Sequence, residues 1–519
     1  MKATSRILPL LLMASSVGTA LAEIRLPAVI SDHMVLQAGK PAGVWGWADA
    51  GEKVNVELGG KTAQTTAGSD GKWALKLELP TGEGPYEMVV AGANTVKVQD
   101  VLVGEVWVCS GQSNMEWRVA QSERVQGDVA AAQFPKIRHF TVEKAVAATP
   151  QEDVKGKWVV CAPETVSGFT AVGYFFGLEL HRNLKAPVGL VSTNWGGTVA
   201  EAWTSRKALD AQPSLKAMVE RYDGQAAGFD EAKAQEAFKK AEAAWKEQAE
   251  KAKAEGKPEP RRPQLARSVA SGPNFPANLY NGMVAPLLRF SIRGAIWYQG
   301  ESNVSRAVQY RTLFPAMISN WRADFGQGDF PFHFVQLAPF GYNRNNPNAD
   351  KRPCAELWEA QLMTLRSVPN TGMAVTTDIG NVQDIHPKNK QEVGRRLALW
   401  SLAQDYGRKD LVYSGPLYKA VKVEGSKMRV SFDHAKGLKA RDGQALSHFT
   451  ISGADQNFVP AEARVEGGSL VVSSSAVAAP VAVRFAWSED SEPNFVNEAG
   501  LPASPFRTDD FPAATLGKE

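Results

Sequence analysis

The stretch Val106-Trp107-Val108-Cys109-Ser110-Gly111-Gln112-Ser113-Asn114 constrains the fold more than any other part of the chain. A short apolar, β-branched run ends in two small residues and turns polar at once. A buried strand of an α/β sheet delivers a side chain to the sheet's carboxyl edge in this way, and such folds bind ligands along that edge. Gly111 permits the tight turn. The pattern recurs twice. Val188-to-Ser192 runs into Thr193-Asn194-Trp195-Gly196-Gly197-Thr198, and Ile292-to-Tyr298 runs into Gln299-Gly300-Glu301-Ser302-Asn303. Strands that all end in polar, glycine-bearing turns predict a shared rim with Ser113 on it.

A serine hydroxyl alone is a poor nucleophile; it needs a base, an orienting acid and oxyanion donors. The glycines at 196 and 197 let backbone N–H groups approach a ligand closely. Gln299 can present an amide N–H to a developing oxyanion. Glu301 can orient neighbours or bind a hydroxyl, and Glu201 and Trp203 can line the site. His386 follows the strand candidate Met373-to-Thr377, within Asp378-Ile379-Gly380-Asn381-Val382-Gln383-Asp384-Ile385-His386-Pro387. A lone histidine is more often structural. This one stands at the catalytic edge of an α/β unit, beside a carboxylate, and that place favours a functional reading. Each block taken singly is also an ordinary turn.

Length and patterning place this unit between two others. At 519 residues the chain exceeds one ordinary domain. Residues 23–100 read as an all-β module, with short apolar runs separated by Gly, Asp, Asn and Pro. Residues 101–410 alternate strands and helices. Within them, 206–263 is rich in Ala, Lys and Glu, with Ala234, Phe238, Ala241 and Trp245 at helical spacing. It reads as an inserted helical hairpin with a solvated face; a lid over the pocket is the sharper alternative. Residues 411–519 return to β-rich alternation, as a second module expected to pack on the first. The Pro502-to-Arg507 tail is expected to wrap back over the body.

The net charge of +3 argues against nucleic acid or an anionic membrane as the main partner. Residues 1–22 read as a cleavable export signal: Lys2 and Arg6, then apolar Ile7-to-Ala14, then Ala20-Leu21-Ala22 before Glu23. Export to the periplasm or the medium is expected. No later segment has the length of a membrane span. Of the three cysteines, Cys109, Cys161 and Cys354, at least one is unpaired in a monomer. Cys109 reads as a small buried apolar residue, not as a catalytic thiol. Neither a metal site nor a cofactor is expected, and no obligate protein partner is evident.

Taken in order, Gly111-Gln112-Ser113-Asn114-Met115, Gly196-Gly197-Thr198, Trp297-Tyr298-Gln299-Gly300-Glu301-Ser302-Asn303 and Asp384-Ile385-His386-Pro387 resemble the sialate O-acetylesterases of the SGNH hydrolase superfamily. The resemblance covers nearly the whole chain after residue 22. It implies a three-layer α/β/α fold with a parallel sheet, flanked by N- and C-terminal β-sandwich-like modules. It also implies deacetylation of O-acetylated carbohydrate through an acyl-enzyme. Ser113 is then the nucleophile and His386 the base. The oxyanion hole is formed by Ser113, Gly196 and Gly197 through backbone N–H groups and by Gln299 through its amide. Many SGNH enzymes carry the acid three residues before the histidine. Here that position is Gln383, so Asp384 is the choice and Asp378 the runner-up. Gln299 stands where many of these enzymes have Asn. Trp195, Trp203 and Glu301 are the candidates for gripping the sugar. Acetylated xylan or xyloglucan fragments are the alternative substrates, and a non-catalytic carbohydrate-binding protein is the alternative class.

Overall fold

From Lys53 to Ala91, buried and exposed side chains alternate along most strands, as in sheets with one face on a core. This N-terminal part holds β1 (Val35–Gln37), β2 (Ala42–Trp47), β3 (Lys53–Leu58), β4 (Lys61–Thr66), β5 (Lys72–Leu77) and β6 (Tyr86–Ala91). The computed structural model describes residues 23–346 and 348–518, so the expected export signal, residues 1–22, lies outside the described residues.

The next strand, β7 (Thr95–Gly111), is 17 residues long and belongs to both parts of the molecule. Its first half pairs antiparallel with β6. Its second half enters a parallel sheet as a nearly continuous buried run. The pairing shifts register where Val98 gives way to Val101, and Asp100 there has φ 55°. A bulge of this kind bends a strand and re-aims it. The Asp100 carboxylate is held by Arg138 at 2.5 Å and His33 at 2.7 Å. The boundary expected between residues 100 and 101 therefore falls inside one strand. The burial pattern changes there, but the backbone does not end.

Beyond β7 come α1 (Ser113–Glu116), α2 (Gln126–Ala130), β8 (Phe134–Thr141), β9 (Trp158–Cys161), α3 (Ala171–Leu184) and β10 (Val188–Asn194). They are followed by α4 (Arg206–Asp210), α5 (Lys216–Ala227), α6 (Glu231–Ala254), β11 (Gly294–Tyr298), α7 (Ala307–Phe325), β12 (Phe332–Val335), α8 (Pro353–Ser367), β13 (Thr371–Ala374) and α9 (Lys390–Gln404). Tyr280–Val284 forms a single π-helical turn, with Gly282 pressed on the Ala145 backbone.

The central sheet has the order β13-β12-β11-β7-β10-β8-β9. All neighbours are parallel except β9, which closes the edge antiparallel to β8. β7 sits where the order reverses, with β10 on one side and β11 on the other. Gly111 pairs level with Asn194 of β10 and Tyr298 of β11. The polar turns after these strands therefore open at one height, at the position where such sheets take ligands.

Alternation along the strands sends Trp107 and Trp297 to opposite faces. Trp107 packs edge-on against Phe176 of α3, and Trp297 packs against Phe314 of α7. Helix α9 lies against α3 so closely that a Cβ on Gly394 would meet Phe175 Cβ at 2.7 Å. The large rings fully buried on both faces anchor the three layers, each contributing about 1.5–3 kcal/mol by leaving water.

The C-terminal module has its own core, including Val430, Ile451, Phe485 and Phe506. One of its sheets pairs Leu417–Glu424, Lys427–Asp433, Ser469–Ser473 and Glu462–Glu466. Expected to pack on the N-terminal module, it docks on the α/β unit: Asn343 N donates to Glu489 at 2.8 Å and Arg441 to the Asp378 carbonyl at 3.2 Å. The tail wraps back as expected. Arg507 bonds Glu359 of α8 at 2.8 Å, and Thr515 N donates to Glu356 at 3.0 Å.

In the insertion, α5 buries Met218 and Val219, whereas α6 buries nothing. Ala234, Phe238 and Trp245 are half-buried, and Trp245 Nε1 donates to the Pro260 carbonyl of the returning chain at 2.7 Å. Ala241 is exposed. Among the described residues, no helix is long and apolar enough to cross a membrane.

Candidate active site

Ser113 is the first residue of α1, separated from the end of β7 by Gln112 alone. His386 lies in the loop between β13 and α9, 273 positions further along the chain. Their side chains meet: Ser113 Oγ is 2.8 Å from His386 Nε2. The imidazole is half-buried and stacks on Trp117, with ring centroids 5.3 Å apart and planes 19° apart. Burial holds its pKa below the ordinary histidine value; the Lys390 ammonium pushes the same way and Asp384 opposes it. A neutral imidazole is the form that can accept a proton.

Of the two acids considered, only Asp384 is beside the ring. Its Oδ1 accepts the His386 backbone N–H at 3.0 Å and lies 3.8 Å from Nδ1. That is a close charge but not a hydrogen bond to the ring. Asp378 is turned to α9, where Arg396 holds both its oxygens at 2.6 and 2.7 Å.

The glycine turn after β10 lies against the serine. A Cβ on Gly196 would sit 3.1 Å from Ser113 Cβ. The Gly196 N–H is already engaged, donating at 2.7 Å to Glu116 Oε2. Glu116 in turn pairs with Lys144 at 2.6 Å, and that ammonium lies 5.4 Å above the Trp195 ring. Gly197 follows with φ 75° and open space where a side chain would be.

Gln299 does not reach this pocket. It is fully buried, and both ends of its amide are used: Nε2 donates to Thr198 O at 3.1 Å and Asn303 Oδ1 at 2.6 Å, while Oε1 accepts from Tyr310 at 3.0 Å. The longer side chain bridges the two neighbouring turns instead of pointing outward. The expectation that its amide serves an oxyanion is corrected. Trp203 is corrected likewise. It is fully buried, donates to Thr198 Oγ1 at 3.0 Å and packs on Trp297, so it meets no sugar. Glu201 is a buried partner of Arg306 at 2.7 Å. Glu301 faces inward: Oε1 accepts from Asn114 at 2.6 Å, and burial raises its pKa.

Sequence reasoning gave no role to Glu116, Trp117, Asn114 or Lys390. The first three lie within four residues of Ser113. Lys390 had no signal, because a lysine four residues after a histidine reads as a surface charge; here it is fully buried. All three cysteines are free and buried. Burial pushes the Cys161 thiol up to about 12 and that of Cys109 higher still, so neither is a nucleophile at neutral pH. Among the described residues, no group of three or more His, Cys, Asp or Glu side chains is placed to hold a metal ion.

The profile of a carbohydrate esterase family, the sialic acid-specific acetylesterases, matches residues 103–235 and 270–402. The unmatched residues between these blocks hold most of α6 and its return segment. A sialate O-acetylesterase of Rattus norvegicus is 29% identical over 518 residues, covering 89% of each chain. The Homo sapiens sialate O-acetylesterase is 28% identical over 549 residues, covering 96% of this chain and 95% of its own. The crystal structure of a carbohydrate acetylesterase from Xanthomonas citri has 38% identity and a TM-score of 0.79, covering 94% of this chain and 100% of that one.

Proposed function

The chain belongs to the sialic acid-specific acetylesterase family of carbohydrate esterases, and we propose that it removes O-acetyl groups from sialic acids through an acetyl-enzyme on Ser113. The reading rests on the 2.8 Å contact between Ser113 Oγ and His386 Nε2 at the carboxyl edge of the sheet.

His386 takes the Ser113 proton as Oγ attacks the acetyl carbonyl carbon. The tetrahedral oxyanion is met by the backbone N–H groups of Ser113 and of the Gly196–Gly197 turn. In the structure an anionic oxygen, that of Glu116, already rests on the Gly196 N–H beside the serine; the developing oxyanion replaces it there. Such donors are worth about 2.7–4 kcal/mol each. The imidazolium then protonates the departing sugar oxygen. In the second half, His386 takes a proton from water, the water oxygen attacks the acetyl carbon, and acetate leaves as Ser113 regains its proton. Asp384 stabilises the transient imidazolium through space. Trp195, half-buried beside Gly196, offers a flat face to the sugar.

One observation favours a second reading of the substrate. Lys144, an exposed cation beside the serine turn, is paired with Glu116 at 2.6 Å. With that cation paired, the Trp195 ring beside the serine suits acetylated plant oligosaccharides such as xylan or xyloglucan fragments. Acetate release from O-acetylated sialic acids and from acetylated xylo-oligosaccharides, compared as kcat/KM, separates the two. Preference for the sialic acids supports the first reading; preference for neutral oligosaccharides replaces it with the second. The N-terminal signal pattern supports action outside the cytoplasm, which cell fractionation tests.

A further inference from the structure

Behind Ser113 lies a buried chain of polar contacts that the mechanism above does not use. Lys390, the first residue of α9, is fully buried and places Nζ 2.5 Å from Asn114 Oδ1. Its ammonium also lies 5.2 Å from the Tyr298 ring centroid and 5.7 Å from that of Trp117, a cation between two aromatic faces. The Asn114 amide nitrogen donates to Glu301 Oε1 at 2.6 Å and to the Ile385 carbonyl at 3.0 Å.

A lysine ammonium can only donate, and a carboxylate or carbonyl oxygen can only accept. Lys390 therefore fixes which end of the amide faces inward, and the NH2 end must face Glu301 and Ile385. Asn114 adjoins Ser113, and Ile385 adjoins His386. One amide thus ties the serine-bearing turn to the histidine-bearing loop, within one residue of each reacting side chain. We propose that Lys390, acting through Asn114 and Glu301, is a positioning residue that holds the Ser113–His386 contact. The inference rests on the serine-esterase reading above.

The same ammonium faces Glu301, Asp384, His386 and the Tyr298 ring. Burial holds Lys390 down to about 7, against the pull of Glu301 and Asp384. At acidic pH it is charged, and its positive charge disfavours protonation of His386. Removing it lets the imidazole hold its proton to higher pH.

The test compares wild type, Lys390→Met, Asn114→Ala, the double variant and Ser113→Ala, all as the full mature chain. The measurements are kcat and KM for p-nitrophenyl acetate across pH, with melting temperature as a check on folding. Each single variant is expected to lose about 100-fold in kcat with KM little changed, as for a reacting group displaced by a fraction of its length. The double variant is expected to lose no more than the worse single, because the two act as one unit. The acidic limb of Lys390→Met is expected to move to higher pH. Folded single variants with wild-type kcat and an unmoved limb, or losses that multiply in the double variant, would overturn the inference. Should Lys390→Met not fold, Asn114→Ala reads the same loss, and wild-type kcat there overturns it equally. A Ser113→Ala protein as active as wild type would instead sink the serine reading, and this inference with it.

Discussion

Two clusters of histidine, aspartate and serine sit on the same sheet, and their geometries are opposed. In the interior, His333 of β12 bonds Asp405 through Nε2 at 2.7 Å, and Ser401 of α9 donates to the same Asp405 oxygen at 2.9 Å. His333 is buried and stacked on Trp107 at 5.8 Å. At the rim, the acid is 3.8 Å from the His386 ring, and the serine bonds the imidazole itself. By the His–Asp distance alone, the interior cluster is the better triad. What separates them is which atom the serine touches and whether a substrate can arrive. A closed, tight His–Asp pair ties α9 to β12; an open pair with serine on the imidazole can pass a proton.

That contrast can be broken most sharply by removing each histidine. His386→Ala and Ser113→Ala are each expected to lower kcat/KM by about 10⁴-fold or more, since members of such a unit fail together. His333→Ala should leave kcat/KM of the folded protein near wild type. Assays on both variants at matched folded concentration check this. The acids come next. Asp384→Asn is expected to cost about 10- to 100-fold, less than the histidine, because no hydrogen bond to Nδ1 is lost. Asp405→Asn should be silent in the same assay.

Stability reverses the order. Breaking the interior pair with His333→Ala is expected to cost about 3–5 kcal/mol, because it strands a buried carboxylate. Removing the half-exposed His386 should cost about 1 kcal/mol or less. Denaturant unfolding midpoints measure both. Gln299→Ala belongs with the interior group, at about 1–3 kcal/mol for the stranded partners of its amide. The smallest effect is in pH. His386 must be neutral to act, so kcat/KM should fall as pH drops through a midpoint below the ordinary 6.5. Asp384 raises that midpoint, so Asp384→Asn should move it further down; pH profiles of the two proteins decide the sign.

The rim was legible in the sequence because buried parallel strands read as apolar runs, and Ser113, Gly196 and His386 lie where those runs end. The C-terminal strands were legible by alternation. The passage of β7 through Asp100 was not, since a bulge keeps the chain extended while the burial pattern changes around it. Gln299 was misread for a related reason. Composition places an amide at the rim, but only packing decides that its length spans from Thr198 to Tyr310. Trp203 and Lys390 share this: a side chain's type says what it can do, and burial decides whether it meets solvent.

The most direct measurement of the central claim is to stop the reaction with an O-acetylated sugar by acid within its first turnovers and map the acetyl group by peptide mass spectrometry. The account predicts acetyl on the Ser113 peptide of the wild-type protein, and none on that peptide in Ser113→Ala. Acetate released at the wild-type rate by Ser113→Ala, or acetyl trapped only on another residue, would contradict it.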